Sequence, residues 1–217
     1  HEVIGHRTGK VGDELEDQEL QLTLREYGFA LEEARAELVA LHHIWDPIVA
    51  RVAVCPAECA DAAYRAYARR AHVQLHRVRG ARIEDEHMRG TQLIVQYARS
   101  RGAIATEEHG GKRYVIVKDV PLMRAAVSEL LGKLMRIKAT GDHAEAKRLF
   151  DTFGVTFDVS LRDDAVRRAT RARIPDHYIF VMPELEPVLG PDKRIIDVKL
   201  RVERDFDAQM RRWDQPS

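Results

Sequence analysis

A chain of 217 residues, 45% hydrophobic and 32% charged, has the make-up of an ordinary folded protein and not of a disordered one. Its 35 basic and 35 acidic side chains cancel, so no net field marks nucleic acid or an anionic membrane as a partner. No apolar run approaches the roughly 20 residues that span a bilayer, and the opening residues do not read as a signal peptide.

In chain order, His1 to Arg7 reads as the end of a helix, broken by Thr8-Gly9-Lys10-Val11-Gly12. Residues 13–28 are polar and mixed and predict mostly loop. From Phe29 to Ile44 a helix is expected, because Leu31, Ala34, Leu38, Leu41 and Trp45 recur at helical steps with charged residues between. Pro47 and Pro56 punctuate the stretch after it. A long helix is expected from Pro56 to Arg79, ending at Gly80, and another from Glu84 to Arg101, stopped by Gly102. Ala103–Thr106 and Tyr114–Val117 flank a Gly-Gly turn and predict a β-hairpin. Asp119 is a good N-cap for a helix reaching Ala139, and two more helices are expected over 142–153 and 160–172. Tyr178–Met182 and Ile195–Val202 read as strands separated by a Pro/Gly loop, and Asp205–Trp213 as a short helix. The fold class is therefore mainly α, with a small β-hairpin and a C-terminal two-strand segment. Cys55 and Cys59 read as free thiols of a reducing compartment, since a secreted chain of this size would carry more cysteines.

Two stretches carry chemistry. The first is His1-Glu2-Val3-Ile4-Gly5-His6. Zinc peptidases commonly use H-E-x-x-H, whose histidines share one helical face. Here the histidines are five apart, a step that turns about 140° on an ideal helix and points the rings away from each other. A local π-type bulge restores the alignment, and Gly5 stands where the backbone accepts one most easily. The second is Glu32-Glu33-Ala34-Arg35-Ala36-Glu37. Such a charged run is usually a solvated helix face, with Arg35 a salt-bridge partner inside it. Yet a glutamate from a second helix can complete a His, His, Glu zinc set with water in the fourth position. Glu33 and Glu37 share one side, so the latter can hold a ligand histidine through its ring N–H.

Together and in this order, H-E-x-x-G-H followed by E-E-x-R-A-E resembles dipeptidyl peptidase III, and Glu86-His87-Met88-Arg89 resembles the His-Met segment of that family. The resemblance implies zinc held by His1, His6 and Glu33, with Glu2 as general base. Glu37 and Glu32 would orient the ligands, and His87 would stabilise the tetrahedral intermediate. It implies release of dipeptides from the N-termini of short peptides; the cysteines point to the cytoplasm, and charge and hydropathy to no nucleic-acid or membrane partner. Family members have two lobes, so residues 1–174 would be the helical zinc lobe and 175–217 the segment returning to the second lobe. The first methionine is Met88 and the sequence opens on the first metal-binding histidine. The chain is accordingly expected to be a C-terminal portion, inactive alone, whose substrate-gripping residues lie in a missing N-terminal part. Two alternatives stand beside this. One is a truncated helical domain that binds zinc or a partner without catalysis. The other is a copper site built on a mature N-terminal histidine, a device of disulfide-bonded β-sandwiches that this helical pattern does not suit.

Overall fold

In the computed structural model, Leu31, Ala34, Leu38 and Leu41 lie on one helix, α2 (Gly28–His43). The structure describes residues 1–2, 4–13, 15, 17–52, 59–174, 183–203, 205 and 207–208. These fall into two compact units, His1–Ile174 and Pro175–Ser217. Within the first, α2 is buried on nearly every side, since Ala30, Arg35, Ala36 and Val39 are covered as fully as the leucines. A helix covered all round is a central one.

Around it pack α1 (Asp17–Leu24), α5 (Glu86–Ser100) and α6 (Val120–Thr140). The short α3 (Pro47–Val52) precedes α4 (Cys59–Gln74), which lies against α5 and the β-hairpin. That hairpin pairs β1 (Ile104–His109) with β2 (Lys112–Val117), Ile104 opposite Val117. Its turn residues Gly110 and Gly111 both have positive φ, which only glycine adopts without strain. Helix α7 (His143–Leu149) runs on into a π-helical turn, Phe150–Gly154, before α8 (Val159–Ala172).

Four of these helices begin on an aspartate whose carboxylate accepts a backbone N–H of the first turn: Asp85, Asp119, Asp142 and Asp158. Each satisfies donors that have no intrahelical partner. Among the described residues no helix is long and apolar enough to cross a membrane.

Several expectations need correction. Part of the stretch 13–28, expected as loop, is α1 followed by a 3₁₀ turn at Arg25–Tyr27. Its polar residues hide the signal, yet Leu20, Leu24 and Tyr27 are buried in the common core. The helix expected from Pro56 to Arg79 is described only from Cys59, and it tightens into a 3₁₀ turn at Leu75–Arg77. Cys55 and Pro56 lie outside the described residues, while Cys59 is a free thiol.

The second unit holds an antiparallel pair, β3 (Glu184–Leu189) and β4 (Ile195–Arg201). Strand β4 matches the expectation. Its partner lies where the sequence suggests a Pro/Gly loop, because Pro187 and the glutamates before it disguise the strand pattern. The strand expected at Tyr178–Met182 lies outside the described residues, as does most of the helix expected at Asp205–Trp213.

Candidate metal centre

Glu2 and the residues 4–7 lie in turns and not in the end of a regular helix. The His6 N–H donates to the His1 carbonyl at 3.1 Å, an i to i+5 closure of π type. The two imidazoles meet edge to face with centroids 4.8 Å apart, and their Nε2 atoms are 3.2 Å from each other. Gly5 permits this packing. A Cβ on it would lie 2.1 Å from the His1 carbonyl oxygen and 2.9 Å from Ala36 Cβ, so no side chain fits between the turn and α2.

Glu33 rises from α2 beneath the pair. Its Oε2 is 3.3 Å from His1 Nε2 and its Oε1 3.8 Å from His6 Nε2. Oε2 is also 2.9 Å from His87 Nδ1. Close as these rings are, neither is aligned as a hydrogen bond to Oε2, which is buried and unsatisfied. A buried carboxylate oxygen with no aligned donor is costly unless a cation meets it.

The donor set fits zinc. Bonds near 2.0–2.1 Å in a tetrahedron put neighbouring ligand atoms about 3.4 Å apart. His1 Nε2 lies 3.2 Å from His6 Nε2 and 3.3 Å from Glu33 Oε2, close to that edge, while His6 Nε2 is 3.8 Å from the other carboxylate oxygen, Oε1. Imidazole and carboxylate donors are also the chemistry zinc accepts at an open site.

A second carboxylate is near. His1, Glu2 and His6 form a cluster whose ligand atoms lie within 4.8 Å of one another. Glu2 Oε1 is 3.7 Å from His1 Nε2, but the side chain is 83% exposed against 20% for Glu33. Of the two carboxylates, Glu33 offers a buried oxygen without an aligned donor and Glu2 an exposed one.

His87 arrives on the first turn of α5. Asp85 caps that helix, accepting from Met88 N–H at 2.8 Å. Its approach to Glu33 is set three residues on, where Gly90 meets Ala34. A Cβ on Gly90 would lie 3.0 Å from the Ala34 nitrogen, so the helices touch backbone to backbone there. Residues three apart share a helix face, and His87 is thereby turned toward Glu33.

Glu32 and Glu37 stand behind the site differently. Glu32 makes a two-pronged contact with Arg35, at 3.1 and 2.6 Å, and meets Lys138 at 3.3 Å. Burial alone would raise its pKa, yet Arg35 and Lys138 hold it below the usual glutamate range. Glu37 has as partners the Tyr67 hydroxyl, Arg70 at 2.5 Å and Thr91 at 3.2 Å, not a ligand histidine. It therefore ties α2 to α4 and α5. Burial, then the Glu37 charge, push the Tyr67 phenol well above its ordinary pKa, so it stays a neutral donor.

Tyr67 carries no mark in the sequence, and the pattern around Arg35 suggests no more than a helix salt bridge. The available signal for Arg35 is its place between Ala34 and Ala36 on the buried side of α2.

Other histidines have their own surroundings. His42 Nδ1 is 3.0 Å from Ser128 Oγ, His76 Nδ1 2.6 Å from the Val73 carbonyl, and His109 3.2 Å from Glu107. His72 borders a cavity of about 660 Å³ between α4, β2 and α8. Burial, then the Arg168 charge, lower its pKa and keep it neutral.

Fold and donors thus define a helical domain presenting two imidazoles and a buried carboxylate at an open surface. No family model matches the sequence, and no curated protein matches it. Eleven chains of solved structures match the fold. One is DPP III from Caldithrix abyssi, with a TM-score of 0.52 at 20% identity. The match covers 74% of this chain and 29% of that one, so the chain spans under a third of its length. At that identity the likeness is one of fold: the chain has a DPP III-like fold over the matched part.

Proposed function

We propose that this chain carries the catalytic centre of a zinc-dependent exopeptidase of the dipeptidyl peptidase III type, releasing dipeptides from the N-termini of short peptides. The observation behind the proposal is the convergence of the His1 and His6 Nε2 atoms on the carboxylate of Glu33, whose Oε2 is buried without an aligned donor. The DPP III-like fold supports the same reading.

His1, His6 and Glu33 would hold the metal. Bound zinc polarises a peptide carbonyl and makes its water a nucleophile at neutral pH. Glu2, exposed beside His1, takes the proton of the attacking water and returns it to the leaving amine. His87, on the rim of α5, donates to the oxygen that gains negative charge. Glu32 and Glu37 brace α2 from behind. Short peptides are the substrates. A cytoplasmic setting fits the free thiol of Cys59.

The test is metal content first and turnover second. One zinc per chain by mass spectrometry, lost in Glu33→Ala, is expected; a wild-type chain that takes up no zinc sinks the reading. A second reading, a zinc-binding domain without turnover, draws on the exposure of Glu2 and His87, 83% and 69%. Zinc uptake with no dipeptide release from the whole protein would favour it.

A further inference from the structure

The two histidines and Glu33 come from separate segments, and something must fix their spacing. The Arg35 side chain, on α2 two residues beyond Glu33, is fully buried. Its Nε and Nη2 donate to the Glu32 carboxylate. Nη1 donates to the Gly5 carbonyl at 2.7 Å and to Thr8 Oγ1 at 3.2 Å, and Nη2 to the His6 carbonyl at 3.1 Å. The guanidinium has five N–H donors, and these five bonds use them all. Thr8 Oγ1 in turn donates to the Gly5 carbonyl at 3.0 Å, closing a ring of bonds around the turn.

We infer that Arg35 is the positioning residue of the metal centre: its planar fork sets the two-histidine turn in register with Glu33. The inference rests on the zinc reading above. In this turn the Gly5 carbonyl has only Thr8 as a local donor, through its N–H at 3.4 Å and its hydroxyl at 3.0 Å, and among the described residues the His6 carbonyl has no backbone donor, so a further donor is needed. Arg35 supplies that donor from the helix that carries the third ligand. A shift of the turn along α2 would break both carbonyl bonds at once, so ligand spacing and fork geometry are one constraint. Lysine keeps the charge but cannot offer a planar fork of donors to a carboxylate and two carbonyls together.

Lys138 provides the contrast. It belongs to the same buried charge cluster, meeting Glu32 at 3.3 Å. It reaches the turn only at the Thr8 carbonyl, at 3.5 Å, and touches neither Gly5 nor His6 among its hydrogen bonds.

The experiment titrates zinc alone into the metal-free full chain against a chromophoric chelator, with Tm recorded for each variant. Arg35→Lys is expected to weaken zinc about 10- to 100-fold, the usual range for a residue supporting a ligand from behind. Lys138→Met is expected to lower Tm while leaving zinc affinity within about threefold, since its role is charge balance and not registry. Equal zinc affinity in Arg35→Lys and wild type overturns the inference, and so does an equal loss in Lys138→Met, which would mean general destabilisation. If Arg35→Lys does not fold, Thr8→Val removes two bonds of the ring, the one from Arg35 and the one to the Gly5 carbonyl, and several-fold weaker zinc binding is expected; unchanged affinity there overturns it. A wild-type chain without zinc affinity refutes the metal reading itself, and Arg35's role with it.

Discussion

Glu33 is a half-buried acidic group, 20% exposed, whose Oε2 is buried with no aligned donor. Such a group costs stability until a cation arrives. Zinc should therefore raise the Tm of the wild-type chain, by an amount equivalent to roughly 2.7 kcal/mol at a hundred times Kd. In Glu33→Ala that rise should vanish, which differential scanning fluorimetry with and without zinc would read. Glu2 is the opposite case. Its side chain is 83% exposed, so its replacement should not cost the metal. In the whole protein Glu2→Gln should retain zinc and lose turnover by roughly 10²- to 10⁴-fold, the contribution of a general base. Near-normal dipeptide release from that variant would move the base elsewhere. His87→Ala should lower kcat by about 100-fold with zinc retained.

The helices position these groups by two local devices, close contact and capping. Gly90 lets α5 touch α2 at Ala34. Alanine there gains about 1 kcal/mol of helix propensity. The clash is with backbone, however, and overpacking of that kind costs about 1–3 kcal/mol. Gly90→Ala should thus be net destabilising in urea unfolding, and His87 should lose its place beside Glu33; a stabilised variant would deny the close packing. At α8, Asp158 accepts from Ser160 N–H at 2.8 Å and Leu161 N–H at 3.3 Å. Burial opposes its charge, but Ser160, these amides and Arg113 prevail and hold the pKa below the aspartate norm. A lowered folded-state pKa gives stability that is complete above the unfolded value, about pH 4, and lost as pH falls through the folded one. Asp158→Ala should cost about 1 kcal/mol at pH 7. The gap from wild type should close in acid, and a gap independent of pH would refute the cap's charge.

At the scale of the molecule, the two units differ in how they bury apolar surface. The first has one continuous core running from α1 to α8. In the second, β3 and β4 form an amphipathic ribbon. Leu185 pairs with Leu200 and Pro187 with Val198, while Glu184 pairs with Arg201 and Glu186 with Lys199. Because side chains alternate along a strand, the residue pairs Leu185–Leu200 and Pro187–Val198 share one face and the charged pairs the other. Leu185, Ile196, Val198 and Leu200 are all exposed. A two-stranded ribbon is marginal alone, and an uncovered apolar face invites association. Sedimentation velocity should show concentration-dependent association, reduced by Val198→Lys with Leu200→Lys. A wild-type chain that stays monomeric at high concentration would show that face to be innocuous.

The sequence by itself determined the central helix, the hairpin and the helix that Asp119 starts, because periodicity, Gly-Gly and an N-cap are local signals. It also named the residues of the candidate site, since the histidine spacing and the paired glutamates are written in adjacent positions. Tertiary structure decided what depends on distant partners. Helix α1 exists because Leu20 and Leu24 find a core that its own polar residues do not announce. Strand β3 exists because β4 pairs with it despite Pro187. The same holds for the donors Arg35 gives to Gly5 and His6, and for Glu37 turning to Tyr67. A buried hydrogen bond is decided by which backbone group lacks a partner, and only the assembled helices reveal that.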